Sequence, residues 1–213
     1  MIRIAHSNAE ASPAELPGLD GARVATWAAA LAAGEAHGLH ETFMAKGGAA
    51  PEIVWVPPVD RLSAPQLRFL LRYWSELAGE RDMPMAKQID ALEMRPALGY
   101  INLLDVLEGG EDFRYRVFGS IIAAVAGYDM TGRKMSALKT VPYMVELALA
   151  TCRAVVQRGQ PLLTEHRPPP SAVPTVAWHD LVLPLAGEDG SVVRLLVGSV
   201  PFSRDGRPIL VRL

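Results

Sequence analysis

The hydrophobic positions along the chain change their spacing near residue 100. Before that point, five large apolar side chains repeat at the i, i+3, i+4, i+7 spacing of an amphipathic helix: Leu67, Leu70, Leu71, Trp74 and Leu77. Ser63 and Gln66 have the spacing of an N-terminal capping box, with Pro65 in the first turn. Gly79 stands where a helix ends. The pattern predicts a helix over 63–79 whose apolar side packs against another surface.

After residue 100 the hydrophobic period becomes two, which is typical of strands. Strands are predicted in five segments: 100–106, 113–118, 161–167, 172–187 and 191–203. A short helix over 120–126 and a longer one from Pro142 to Gly159 separate the second strand from the third. The last two strands carry apolar residues at both parities, so both faces of the sheet are predicted to be covered.

The N-terminal part of the chain follows neither period throughout. Residues 1–20 are rich in Ala, Pro, Glu and Ser and indicate a loose leader, while 21–43 favour a helix weakened by two glycines. A short apolar stretch over 53–56 suits a linker or one edge strand, and a further short helix is predicted over 86–92. These patterns divide the chain into an N-terminal extension (1–62), a domain with its leading helix (63–205) and a C-terminal tail (206–213).

The composition favours a protein that buries surface against a partner. Half of the 213 residues are hydrophobic and only 21% are charged. A homodimer or a signalling protein partner would cover such a surface. Acidic residues (23) nearly balance Lys plus Arg (21), with no basic stripe. The charge pattern therefore argues against binding to nucleic acid or to an anionic membrane.

The cysteine content favours a reducing compartment. A single cysteine, Cys152, cannot form an internal disulfide, and no Cys/His group has the spacing of a zinc site. His37 and His40 could share a helix face with Glu41, but two imidazoles are a weak signal for a metal. No apolar run approaches the ~20 residues that span a bilayer. We expect a cytoplasmic protein without a metal site.

The order of the predicted elements after residue 100 resembles that of the PAS fold. The segments "LLRYWSELAGERDMPMAKQIDALEM", "INLLDV", "FRYRVFGSIIAAVAGYDMTGR", "VVQRGQP" and "LVLPLAGEDGSVVRLLVG" together resemble a bacterial family of PAS-like proteins with an N-terminal "RYW" helix. The resemblance covers residues 63–202. It implies an α+β fold: a five-stranded antiparallel sheet with helices on one face, preceded by N-terminal helices.

The resemblance also implies a small cavity between the second strand and the short helix that follows it. The side chains expected to line this pocket are Phe113, Tyr115, Val117, Ile121, Ile122, Val125, Tyr128 and Tyr143. A small-molecule ligand or a protein partner would then make the chain a non-catalytic sensory module. Plain core packing of the same side chains is the alternative, and it would make the chain an interaction adaptor with a filled pocket.

The apolar face of the "RYW" helix is the predicted dimer interface. It carries Leu67, Leu70, Leu71 and Trp74. Together with the helix predicted over 21–43, this face would join two copies of the chain.

No cofactor can be named from the sequence. Cys152 lies in "TCR", which is similar to the "NCR" of flavin-binding light sensors, but the residues that flank that motif are missing here. The helix over 143–158 contains no histidine to bind a haem iron, which leaves His166 as a remaining candidate. The sequence therefore argues against both flavin and haem.

The sequence contains no G-x-S-x-G, P-loop or G-x-G-x-x-G motif. His179 and Asp180 are neighbours on a predicted strand, so they point to opposite faces and cannot act as a pair. A small curved-sheet hydrolase or isomerase is the catalytic alternative. It would use His166 or His179 with a carboxylate on a neighbouring strand, and a shifted pKa inside a cleft would distinguish it.

Overall fold

Six strands form one antiparallel sheet in the computed structural model, which describes residues 18–167, 177–203 and 206–209. The strands are β1 (Glu52–Trp55), β2 (Ile101–Leu107), β3 (Asp112–Val117), β4 (Leu162–His166), β5 (Ala177–Ala186) and β6 (Val192–Phe202). Their spatial order is β1-β4-β5-β6-β2-β3. Within the described residues the α-helices are α1 (Gly21–Ala33), α2 (His37–Ala45), α3 (Pro65–Ala78), α4 (Ser120–Ala126) and α5 (Pro142–Arg158).

The α+β class and the antiparallel PAS-like sheet predicted from the sequence are confirmed. The sheet has six strands rather than five, because the short apolar stretch in the extension pairs with β4 as an edge strand, from Glu52 opposite Glu165 to Trp55 opposite Leu162. None of the helices in the described ranges is long and apolar enough to cross a bilayer.

The leading helix α3 covers the outer face of the sheet, opposite α4 and α5. Leu67 and Leu70 are fully buried and pack in one cluster with outer-face leucines of β4, β5 and β6. The indole Nε1 of Trp74 donates a hydrogen bond to the Pro184 carbonyl at 2.7 Å. Gly198 allows this close approach, since a Cβ atom there would lie 2.6 Å from Leu70 Cδ1 and 2.7 Å from Leu67 Cδ2.

The predicted dimer face is therefore occupied within the chain itself. Leu67, Leu70, Leu71 and Trp74 are at most 7% exposed, because the sheet lies directly against them. Little surface of these four side chains is left for a second copy to contact. We do not retain these four side chains as a dimer interface.

The N-terminal extension packs on α5. Val24, Trp27 and Leu31 of α1 are buried in the same cluster as the apolar side of α5. The helix predicted over 21–43 is two helices, because Gly34 ends α1 in the left-handed conformation with φ 89°. The described part of the extension, from residue 18 on, is thus packed into the core, and most of the leader predicted over 1–20 lies outside the described residues.

Two local predictions before residue 100 are wrong. Helix α3 begins at Pro65 with Ala64 as its N-cap and no side-chain cap, so the expected capping box is absent. The Ser63 hydroxyl is 3.0 Å from His179 Nδ1 instead. The helix expected over 86–92 is a single 3₁₀ turn, because the Asp90 amide donates to the Tyr73 hydroxyl rather than to a helical carbonyl.

A register shift between β2 and β3 moves the side chain at the end of β3 to the other face of the sheet. Tyr115 lies opposite Leu104, but Val117 lies opposite Leu103, so Arg116 is an extra residue in the pairing. A shift of one residue moves a side chain to the other face of a sheet. Val117 is accordingly 46% exposed, and the prediction that it lines the pocket is wrong.

The free edge of β3 is covered by the loop that follows α4. The Tyr115 amide donates to the Arg133 carbonyl at 3.0 Å, and the Gly132 amide donates to the Tyr115 carbonyl at 2.7 Å. A further bridge joins Arg114 to Lys134. This loop also forms part of the wall of the cavity described next.

Candidate functional site

A cavity of about 400 Å³ that is partly open to solvent, here called the internal cavity, lies between the inner face of the sheet, α4, α5 and the loop over 128–140. Its walls are mainly apolar, with contributions from every one of these elements: Leu104, Phe118, Ile122, Met135, Leu147 and Val182. Helix α4 has two turns and ends at Gly127, which adopts the left-handed conformation. The next residue, Tyr128, lies in the wall of the cavity. A volume of this size suits a small organic molecule.

Four of the eight predicted pocket residues line this cavity. Tyr115 contributes from β3, Ile122 and Val125 from α4, and Tyr128 from the loop. The rings of Tyr115 and Phe118 meet edge to face at 5.1 Å. Burial raises the pKa of Tyr115 well above its ordinary value, so its hydroxyl stays neutral.

The other four lie elsewhere. Phe113 is fully buried in the core outside the cavity, and Val117 faces outward after the register shift. Ile121 belongs to the outer cluster and lies against Gly99, where a Cβ atom would be 3.0 Å from Ile121 Cγ1. Tyr143 meets Phe43 of the extension edge to face at 5.1 Å. For these positions the expected pocket contact is not present.

A row of polar side chains crosses the inner face of the sheet at one side of the cavity. It runs over four adjacent strands: Asn102 on β2, Ser199 on β6, Asp180 on β5 and Thr164 on β4. In the register, Asp180 lies opposite both Ser199 and Thr164. Asn102 Nδ2 donates to Ser199 Oγ at 3.4 Å, while Asn102 Oδ1 accepts from the Gly119 amide at 3.2 Å. Hydrogen bonds thus connect Asn102, Ser199 and Asp180 along the row, and Thr164 lies opposite Asp180 on β4.

Asp180 is the ionisable member of this row. Burial in the cavity wall raises the pKa of its carboxyl group to about 6, against the opposing effect of a hydrogen bond from Ser199. Its side chain is 21% exposed, so the carboxylate remains accessible from the cavity. Around neutral pH the group is mainly charged but close to its titration midpoint.

His166 stands beside Asp180 at the end of β4. Its Nδ1 atom is 3.6 Å from Asp180 Oδ2, which is longer than a hydrogen bond, and it has no other hydrogen-bond partner. Burial lowers the pKa of His166 to about 4, so the ring is neutral. The buried Thr151 hydroxyl on α5 also lines the cavity without a partner. Both groups are positioned to form hydrogen bonds with a bound molecule.

The polar row was missed in the sequence, although a signal was available. Asn102, Thr164, Asp180 and Ser199 are each a polar residue inside an otherwise apolar strand segment. A single polar residue in a buried apolar strand indicates a functional position, because a buried polar group needs a hydrogen-bond partner. Their convergence depends on the strand order, which the sequence does not state.

His166 and Asp180 meet the criterion for the catalytic alternative in part, because their pKa values are shifted inside the cavity but no hydrogen bond joins the two side chains. Burial raises the pKa of Cys152 far above the neutral range, so its thiol is a poor nucleophile. His179 lies on the outer face, 3.5 Å from Glu165 and stacked on Phe202. The described ranges also contain no group of three or more His, Cys, Asp or Glu side chains placed to bind a metal.

A second depression, of about 590 Å³, lies outside this cavity between residues 56–59, α3 and the end of α5. It is larger, but no buried polar side chain without a partner lines it among the residues that the structure describes. The internal cavity, with two such groups, is therefore the better candidate site.

Comparison with known proteins identifies the family. A family model described as a PAS domain matches residues 62–200, well over half of the chain. The same comparison found no curated protein and no solved structure that matches the chain. The matched segment includes α3, the strands β2 to β5, β6 as far as residue 200 and every residue that lines the cavity. The chain belongs to the PAS domain family.

Proposed function

We propose that this chain is a sensory module that binds a small, largely apolar ligand in the internal cavity without converting it. PAS domains are sensory or protein-interaction modules and are generally not catalytic. The observation that carries the proposal is the cavity itself, whose apolar walls include two buried polar groups without partners, on Thr151 and His166.

The energetics of those two groups favour an occupied cavity. A buried polar atom without a hydrogen bond costs about 1–3 kcal/mol, so a ligand that supplies the missing bonds gains that amount. The adaptor alternative requires a pocket filled by side chains. A volume of about 400 Å³ is more than a filled core leaves open and supports the ligand-binding role.

A non-catalytic role is supported by the chemistry of the wall. The pair that the catalytic alternative requires, His166 and Asp180, is separated by 3.6 Å and is not hydrogen-bonded. Cys152, the neighbouring thiol, is held protonated by burial. With a pKa of about 4, His166 is a weak general base at neutral pH.

The signal would pass to a protein partner, either a second copy of the chain or a signalling protein in the cytoplasm. Because the apolar face of α3 is occupied by the sheet, a homodimer has to use other surfaces. Among the described residues, the exposed large apolar side chains include Leu92 and Leu98, which flank the segment leading to β2.

Binding can be tested with the full chain and a neutral probe of suitable size. Indole, observed by saturation-transfer NMR, should bind the wild type, and native mass spectrometry should detect molecules retained on purification. Ala148→Trp places a large ring at the cavity wall and should abolish binding. Ala124→Trp, on the exposed side of α4, is the matched control and should bind normally.

Two results would contradict the proposal. One is a wild-type protein that retains no small molecule and does not bind indole. The other is equal indole binding by Ala148→Trp and Ala124→Trp, which would place the probe outside the cavity.

A further inference from the structure

The carboxylate of Asp180 lacks a cationic partner in the part of the chain that the structure describes. No lysine or arginine there lies within 4 Å of it, and its nearest basic group is the His166 ring at 3.6 Å. Arg116 and Arg194 pair with Asp105 instead. A carboxylate in an apolar cavity without a counter-charge is costly, and a ligand can supply that charge.

His166 cannot serve as the counter-charge at neutral pH. Burial keeps its ring unprotonated, so Nδ1 can act as a hydrogen-bond acceptor. Lys139 lines the cavity but is exposed, and its ammonium group lies 5.9 Å from the centre of the Tyr128 ring. Among the described residues, no lysine or arginine of the cavity wall is therefore paired with Asp180.

We propose that the ligand is an amphipathic primary amine, whose ammonium group pairs with Asp180 and whose apolar body occupies the cavity. This inference rests on the proposed function and adds the chemical class of the ligand. A primary ammonium group has three N–H donors. Asp180 Oδ2 and the partnerless Nδ1 of His166, which are 3.6 Å apart, can accept two of them, and the partnerless hydroxyl of Thr151 is a further acceptor in the same cavity.

The aromatic side chains of the wall favour the same class. Tyr115 and Trp178 line the cavity together with Asp180, and aromatic faces attract organic cations. An anionic ligand would meet the Asp180 carboxylate without a compensating cation at its side. A neutral alcohol offers one donor where three acceptors are available, so it satisfies fewer of them.

The proposal can be tested with three probes of matched shape and different charge. These are 2-phenylethylamine, 2-phenylethanol and 3-phenylpropanoate, titrated into the full chain by calorimetry at pH 7.5. The amine should bind about tenfold or more tightly than the alcohol, since charge-assisted hydrogen bonds are roughly twice as strong as neutral ones. The carboxylate probe should bind weakest.

Asp180→Asn is the matched variant, because it keeps the shape of the side chain and removes the charge. It should bind the amine and the alcohol with similar affinity, because the charge that distinguishes the two probes is gone. Ala148→Trp should weaken binding of both probes, which locates them in the cavity.

A pH titration of the wild type tests the same point without a mutation. Among the ionisable groups in the wall, the pKa values of Tyr115, Tyr128 and Cys152 are raised and that of His166 is lowered, all away from neutrality. The remaining wall cation, Lys139, is exposed, while Glu165 and His179 belong to the outer face, from which the charge on a protonated His179 lowers the pKa of Asp180. Asp180, with a pKa of about 6, is the group that titrates. Amine affinity should fall about tenfold from pH 7.5 to pH 5, while alcohol affinity stays constant.

The outcomes separate this inference from the proposed function. Equal affinity for amine and alcohol, or a preference for the amine that survives in Asp180→Asn, overturns the inference and leaves the ligand-binding role intact. The same holds if indole binds and none of the three probes does. If indole and all three probes fail to bind, both proposals fall.

Discussion

The carboxylate of Glu146, in the middle of the domain, accepts a hydrogen bond from Arg23 of the N-terminal extension at 2.9 Å. The Glu146 side chain is 1% exposed, and its other oxygen accepts from the Asp20 amide at 2.9 Å. This contact joins α1, outside the segment matched by the family model, to α5. The extension is therefore attached to the domain by a buried charge as well as by apolar packing.

Arg23→Ala should lower the free energy of unfolding by about 1–3 kcal/mol, because it leaves the buried Glu146 carboxylate without its cation. Urea denaturation of the full chain measures this change. Arg72→Ala is the matched control: Arg72 is an exposed helical arginine, and its replacement should have an effect within about 0.5 kcal/mol. Glu146→Gln in the Arg23→Ala background should restore part of the loss. Equal effects of the two arginine replacements would contradict this reading.

Gly198→Ala should destabilise the fold by about 1–3 kcal/mol, because the added methyl group overlaps the leucines of α3 on the outer face. The second variant, Leu70→Ala, creates a cavity and should cost about 2–5 kcal/mol alone. The double variant should cost less than the sum of the two, since the new methyl group fills the space that Leu70 leaves. Denaturant melts of all three variants check the coupling, and strict additivity would show that the two positions are not in contact.

Two groups in the cavity wall should have opposite effects on how the stability of the protein changes with pH. Burial lowers the pKa of His166 from 6.5 to about 4, so its contribution to stability is complete above pH 6.5 and is lost as the pH falls toward 4. Burial raises the pKa of Asp180 from 3.8 to about 6, so its contribution is complete below pH 3.8 and is lost as the pH rises toward 6. In the wild type the two effects largely cancel.

Single variants should reveal the pH dependence of stability that each group causes on its own. In Asp180→Asn only the effect of His166 remains, so the stability of this variant should fall relative to the wild type as the pH is lowered from 6.5 to 4. In His166→Gln only the effect of Asp180 remains, so the stability of this variant should fall as the pH is raised from 4 to 6. Each change is on the order of 2–3 kcal/mol. Thermal melts across this range measure the slopes, and two slopes of the same sign would refute the assignment.

Cys152 should react slowly with a thiol reagent in the folded protein. It is 3% exposed, and burial raises the pKa of its thiol, so little thiolate forms at pH 8. We expect labelling by Ellman's reagent to be at least about 100-fold slower than in urea. Because this is the sole cysteine of the chain, the signal reports one site, and Cys152→Ser gives the baseline. Complete labelling of the native protein during mixing would contradict the buried position.

The element pattern could be predicted from the sequence where local signals mark it. Pro142 and Gly159 bound α5, and Gly127 ends α4, because these residues act through their own backbone conformations. The opposite orientations of His179 and Asp180 also followed from the strand period alone. Local chemistry was sufficient for these features.

The composition of the cavity could be predicted only in part, because it depends on contacts between distant segments. Val117 has the expected parity in the sequence and loses it through an extra residue in the pairing of β2 with β3. Tyr143 lies at the start of α5 and packs against Phe43 instead of the cavity. Phe43 belongs to the extension, which lies outside the segment that resembles the PAS family. Asp180 and His166 come together because β4 and β5 are neighbours in the sheet.

The loop bonded along β3 has a consequence for self-association. A sheet edge with unpaired amides and carbonyls can template the addition of further strands and, in the extreme, fibril growth. Here the amide and the carbonyl of Tyr115 are already bonded to Arg133 and Gly132, so an incoming strand would have to displace the loop first. Polymerisation along the sheet is blocked on this side and has to start from β1, which offers a template of only four residues.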